Sequence, residues 1–100
     1  MYDLVFSSRA EAEFIEAFYW YEERTPGVGR RFEQIVDQQL QLLKENPFVF
    51  QEINRTYREC VLPVFPFVII YKCYLERNEI LILSIFHTAQ NPKDKFTEKK

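Results

Sequence analysis

Tyr57-Arg58-Glu59-Cys60-Val61-Leu62, Phe67-Val68-Ile69-Ile70-Tyr71 and Ile80-Leu81-Ile82-Leu83-Ser84-Ile85-Phe86-His87 follow one another in the second half of the chain, with short breaks between them. These three runs read as strands. The second and third are apolar at nearly every position, and a strand of that kind needs both of its faces covered. Two helices can cover one face of a sheet this small. What covers the other is the leading question about function, and a foreign polypeptide is the expected answer.

Working outward, Glu76-Arg77-Asn78-Glu79 is the turn between the second and third runs, and Leu62-Pro63-Val64-Phe65 the turn between the first and second. With a tight second hairpin, opposed residue numbers sum to about 155, placing Tyr71 opposite Ser84 and Val68 opposite His87. For the first hairpin the sum is 128 or 127. At 128, Cys60, Val68 and His87 form one row with Arg58 on the same face, and at 127 that strand changes sides.

Upstream, Tyr2-Asp3-Leu4-Val5-Phe6 is a short strand, and Ser8-Arg9-Ala10-Glu11 fits a capping box opening a helix. Ala10, Phe14, Ala17, Phe18 and Tyr21 form its apolar stripe, which Ile15, Tyr19 and Trp20 widen beyond what one core face needs. That excess is either amphipathic cover or a surface that meets another protein. Thr25-Pro26-Gly27-Val28-Gly29 breaks the pattern. A second helix from Val28 to about Asn46 carries Val28, Phe32, Ile35, Val36, Leu40 and Leu43 on one stripe and stops at Asn46-Pro47. Phe48 to Thr56 reads as a loop. The predicted order is β-α-α-β-β-β: an α+β fold, a small and mostly antiparallel sheet with a helical hairpin packed on one face. Residues 1–92 form the domain, and 93–100 a charged, mobile tail.

One hundred residues with 47% hydrophobic content and two glycines suit one globular domain. No run reaches the ~18–20 apolar residues of a membrane helix. Met1-Tyr2-Asp3-Leu4 lacks the basic region of a secretory signal, so a cytoplasmic location is expected. A net charge of −2 argues against a protein whose main business is gripping phosphates, although Arg55, Arg58, Lys93, Lys95, Lys99 and Lys100 all lie in the second half. Cys60 and Cys73 are expected about 20 Å apart at ~3.3 Å per residue, too far for a disulfide, so both are read as reduced thiols.

One His and two separated Cys supply no metal site. Gly27-Val28-Gly29 lacks the rest of a phosphate-binding loop, and no cofactor is expected. What remains is a loose set: Tyr57, Arg58, Tyr71, His87, Gln90 and Asn91. His87, ending its strand, is either structural or a general acid–base or partner contact. Arg58 is either a solvated charge or a group that holds a phosphate or a partner carboxylate.

The ordered set Phe6-Ser7-Ser8-Arg9-Ala10, Tyr19-Trp20-Tyr21-Glu22-Glu23, Pro26-Gly27-Val28-Gly29-Arg30-Arg31-Phe32, Asn46-Pro47, Tyr57-Arg58, Phe65-Pro66-Phe67-Val68-Ile69-Ile70-Tyr71 and Phe86-His87-Thr88-Ala89-Gln90-Asn91-Pro92 resembles the RelE/ParE superfamily of toxins from bacterial type II toxin–antitoxin systems, the ParE-like branch most closely. The resemblance implies a small sheet carrying a helical hairpin and a cognate antitoxin wrapped over apolar surface, typically ~800 Å² per partner. ParE-like members inhibit DNA gyrase by binding. RelE-like members cleave messenger RNA on the ribosome, and for that alternative Arg58, Tyr71 and His87 are the candidates for phosphate binding and proton transfer. Phe67-Val68-Ile69-Ile70 stands where RelE-like toxins tend to carry a catalytic Arg, and Gln90 where an Arg is common, which weakens the nuclease alternative. A third alternative keeps the fold and antitoxin binding without toxicity. Tyr19, Trp20, Arg58, His87, Gln90 and Asn91 are the candidate contacts to antitoxin or target, and a homodimer is an alternative state of the free toxin.

Overall fold

The computed structural model describes residues 1–54 and 56–96. Arg55, Lys99 and Lys100 of the basic set, and the tail from 97 onward, lie outside the described residues. Strand β1 (Asp3–Phe6) leads into helices α1 (Ser8–Arg24) and α2 (Val28–Glu45), and then β2 (Gln51–Asn54), β3 (Tyr57–Val61), β4 (Phe67–Tyr74) and β5 (Glu79–His87). The sheet order is β1-β5-β4-β3-β2. β1 runs parallel to β5, and the other three pairs are antiparallel. The α+β class and the helical hairpin are as the sequence indicates. One strand is new: β2 lies inside the segment expected to be a loop. Its residues, Gln-Glu-Ile-Asn, have little intrinsic strand preference, and pairing with β3 at an exposed edge overrides that.

Helix α1 begins one residue earlier than the capping box suggests. Ser7 is the N-cap: its hydroxyl accepts the Ala10 N–H at 3.0 Å and donates to the Leu83 carbonyl at 2.7 Å. One side chain thus caps the helix and anchors it to β5. α2 has no side-chain cap of its own at Gly27. Glu22, near the end of α1, accepts the N–H groups of Gly27 and Gly29 at 2.9 Å each. The Gly27 bond is the leading cause holding the Glu22 carboxyl below its ordinary value. At Gly29 the two helices lie close together: a Cβ there would lie 2.6 Å from the Phe18 carbonyl oxygen.

In the β3–β4 hairpin opposed residues sum to 129, with Cys60 opposite Ile69 and Arg58 opposite Tyr71, so neither expected register holds. The connection contains a γ-turn at Val64, which takes a φ of 72° while Phe65 N–H donates to the Pro63 carbonyl at 2.8 Å. In the β4–β5 hairpin a bulge shifts the register: Phe67 faces His87 and Ile70 faces Ser84, but Tyr71 faces Ile82. The expected row of Cys60, Val68 and His87 therefore does not form. Cys60, Ile69 and Ile85 make a row instead.

That row belongs to the helix-facing core, where Phe32 meets Phe65 edge to face and Phe67 at a tilt, with ring centroids 5.2 and 5.0 Å apart. The other face presents Val68, Ile70, Leu83 and Phe86, all buried. The chain itself covers this second face, which overturns the expectation that a foreign polypeptide must do so. Phe96 packs on Tyr57 at 5.1 Å and Lys95 pairs with Glu59 at 2.9 Å. Buried Arg9 donates to the Asp94 and Lys95 carbonyls at 2.6 and 2.9 Å. Residues 93–96, expected in the mobile tail, are seated by these contacts. Each large apolar side chain shielded this way contributes about 1.5–3 kcal/mol.

Strand β1 reaches only from Glu79 to Ile82 of β5. Beyond Ile82, α1 takes over the open edge: Glu13 accepts the Ile85 N–H at 3.0 Å and the Ser84 hydroxyl at 2.6 Å, and pairs with Arg9 at 3.2 Å. A partly buried carboxylate thus does for this edge what a further strand would otherwise do.

Candidate functional site

A concavity of about 670 Å³ lies between the C-terminal half of α1 and the end of the sheet where β4 starts and β5 finishes. α1 lines it with Glu13, Glu16, Ala17, Trp20 and Tyr21, and the sheet side with Pro66, Phe67, Ile85, His87 and Gln90. Three of the sequence candidates, Trp20, His87 and Gln90, therefore face one cleft. His87 is fixed at the strand end. Its Nδ1 accepts the Ala89 N–H at 3.0 Å, so the neutral ring carries its proton on Nε2. Its ring meets the edge of Phe67 at 4.8 Å. Gln90 closes the turn by accepting the His87 N–H at 3.3 Å.

The two carboxylates were not singled out from the sequence. The signal was present: 13, 16, 17, 20 and 21 follow the spacing of one helical face. Their states differ. Glu13 is committed to Arg9, Ser84 and Ile85, whereas Glu16 has no partner among the described residues. Trp20, half exposed, is covered on its ring by Arg24 at 3.8 Å. Ile15 and Tyr19 stand beside it, 53% and 58% exposed, so an apolar stripe on α1 continues from the cleft to the surface.

Arg58 and Tyr71 sit elsewhere. They share the helix-facing side with His87. However, Arg58 lies opposite Tyr71 and His87 opposite Phe67, four residues apart along β4, or roughly 13 Å. The Arg58 guanidinium donates to the Phe50 carbonyl at 2.7 Å and the Phe48 carbonyl at 3.4 Å. The Tyr71 hydroxyl is buried and donates to the Pro47 carbonyl at 2.6 Å. Burial pushes this phenol up from its ordinary value, against a smaller opposite pull from Arg58. Together these two side chains pin residues 47–50 onto the sheet. Asn91 caps the 3-10 turn Pro92–Asp94 through the Lys93 N–H at 3.0 Å.

Both cysteines are free thiols, and burial raises Cys60 to about 12. Among the described residues no group of three His, Cys, Asp or Glu could hold a metal ion, and no helix is long and apolar enough to cross a membrane.

Residues 4–92 match the family described as the ParE toxin of the type II toxin–antitoxin system parDE. Two solved structures share the fold. One is a chain from the chromosomal ParDE toxin–antitoxin system of P. aeruginosa, 21% identical with a TM-score of 0.73, the match covering 87% of this chain and 96% of that one. The other is the isolated E. coli RelE toxin, 17% identical with a TM-score of 0.64, covering 93% and 90%. No curated protein matches in sequence.

Proposed function

This chain belongs to the ParE toxin family of type II toxin–antitoxin systems, and from that premise we propose that it acts by binding its target, DNA gyrase, rather than by cutting RNA, and that a cognate antitoxin neutralises it. The observation that carries the binding mode is the commitment of the would-be nuclease groups. The Tyr71 hydroxyl is buried on a backbone carbonyl, Arg58 is spent on two others, and His87 lies at a distance from both. Transphosphorylation by the 2′-hydroxyl needs a base, an acid and a cation around one phosphate, and these three residues do not converge on one. Binding needs only surface, and the α1 stripe of Ile15, Tyr19 and Trp20 with the adjoining cleft offers it. An antitoxin laid over that stripe would block the same surface.

Two assays, one on the purified chain and one in cells, test this. Gyrase supercoiling should be inhibited stoichiometrically, and induced cells should mount a DNA damage response while their messenger RNA stays intact. Codon-linked cleavage on ribosomes, lost in Arg58→Ala or His87→Ala by ~10²-fold or more, would reverse the assignment.

A further inference from the structure

The cleft has a chemical polarity. Glu13 and Glu16 both line it, and no Lys or Arg does among the described residues. Three aromatic rings, Trp20, Tyr21 and Phe67, complete much of the wall, and Arg24, lying over the Trp20 ring at 3.8 Å, shows the attraction such rings hold for a cation. Arg9 neutralises Glu13 at 3.2 Å. Glu16 keeps an uncompensated charge at the mouth, since no described residue pairs with it. His87, with Nδ1 taken by the Ala89 N–H, offers a donor rather than a second acceptor. An anionic group entering here would meet the Glu16 carboxylate with no Lys or Arg in the described lining to offset it, while a neutral apolar group would leave Glu16 unused. A long side chain with an apolar stem and a cationic head satisfies walls and mouth together. The 670 Å³ of space exceeds one side chain, which leaves room for apolar neighbours of the cation, and the cleft runs directly into the exposed Tyr19–Trp20 stripe.

We infer that this cleft receives an Arg or Lys side chain of the antitoxin, its apolar stem along the cleft wall and its charge on Glu16. The inference rests on the reading of the chain as an antitoxin-neutralised toxin. The test uses the full-length chain and the protein encoded by the short reading frame next to its gene, titrated by calorimetry at two salt concentrations. Glu16 is exposed, so Glu16→Gln should fold normally, which circular dichroism verifies. Glu76→Gln, in the β4–β5 turn and away from the cleft, is the control.

The expected result is about tenfold weaker binding for Glu16→Gln with a shallower salt dependence, and unchanged binding for the control. Replacing the antitoxin's Arg and Lys residues one at a time by Gln should reveal one whose loss adds nothing to Glu16→Gln, the signature of a direct pair. If the complex forms and Glu16→Gln binds as tightly as the unaltered chain, the inference is overturned while the antitoxin reading stands. If the unaltered chain forms no complex, that reading fails and the inference fails with it.

Discussion

Val64 holds a backbone conformation that side chains of its kind rarely adopt. A β-branched side chain at a φ of 72° crowds its own backbone, at a typical cost of about 1–3 kcal/mol. The side chain returns little, being 73% exposed at the tip of the β3–β4 connection. Glycine accepts that φ freely but loses ~0.5–1 kcal/mol more chain entropy on folding. Val64→Gly should therefore stabilise the protein by about 1 kcal/mol, seen as a rise of roughly 5 °C in Tm by calorimetry. A fall in Tm would mean that the valine carries packing the turn cannot do without. Valine gives no sequence hint of a left-handed φ, and this is why the register of that hairpin could not be read in advance. The same scale explains the cleft. His87 and Trp20 stood out as a lone imidazole and a surplus aromatic. Glu13 and Glu16 looked like ordinary solvated charges in an acidic helix, and only the placement of α1 against the end of β5 separates them from Glu11 or Glu23.

At the scale of elements, the hairpin of helices was legible because both stripes repeat at helical spacing and because Pro26-Gly27 and Asn46-Pro47 punctuate them. The closeness of the two helices was not legible. Gly29→Ala should gain ~1 kcal/mol in helix propensity, yet its methyl would press on a backbone carbonyl that cannot swing aside. At the upper end of overpacking costs, about 3 kcal/mol, the net loss is about 2 kcal/mol, measurable as a lower urea midpoint at unchanged m-value. Strand β2 was illegible for a different reason, since only Ile53 of its four residues is apolar and its pairing with β3 decides its conformation. The cover of the second sheet face hangs on Arg9. Removing it strands the Glu13 carboxylate and frees the Asp94 and Lys95 carbonyls. Arg9→Ala should cost about 3 kcal/mol and expose Lys93 and Lys95 to trypsin. Tryptic digestion at the rate of the unaltered chain would show that the cover is held by Phe96 and Lys95 without help from α1.

For the whole molecule, the continuous apolar runs correctly announced strands with two buried faces, and the error lay in assigning the second cover. Composition treats Lys93 to Lys100 as polar and therefore loose, but one aromatic ring and one buried guanidinium are enough to bind the first half of that segment down. β1 was recognisable as a strand and its place was not, because a parallel partner 76 residues away leaves no local mark. Its pairing has a further consequence. Phe6 lies beside Ile82 and Asp3 beside Glu79, so β1 has no strand to pair with until the ribosome has added the 76 residues that separate the partners. At ~5–20 residues per second, each newborn copy spends roughly 4–15 s with its first segment waiting. The speed of protein synthesis, rather than diffusion of the chain ends, then decides when this protein first takes its shape.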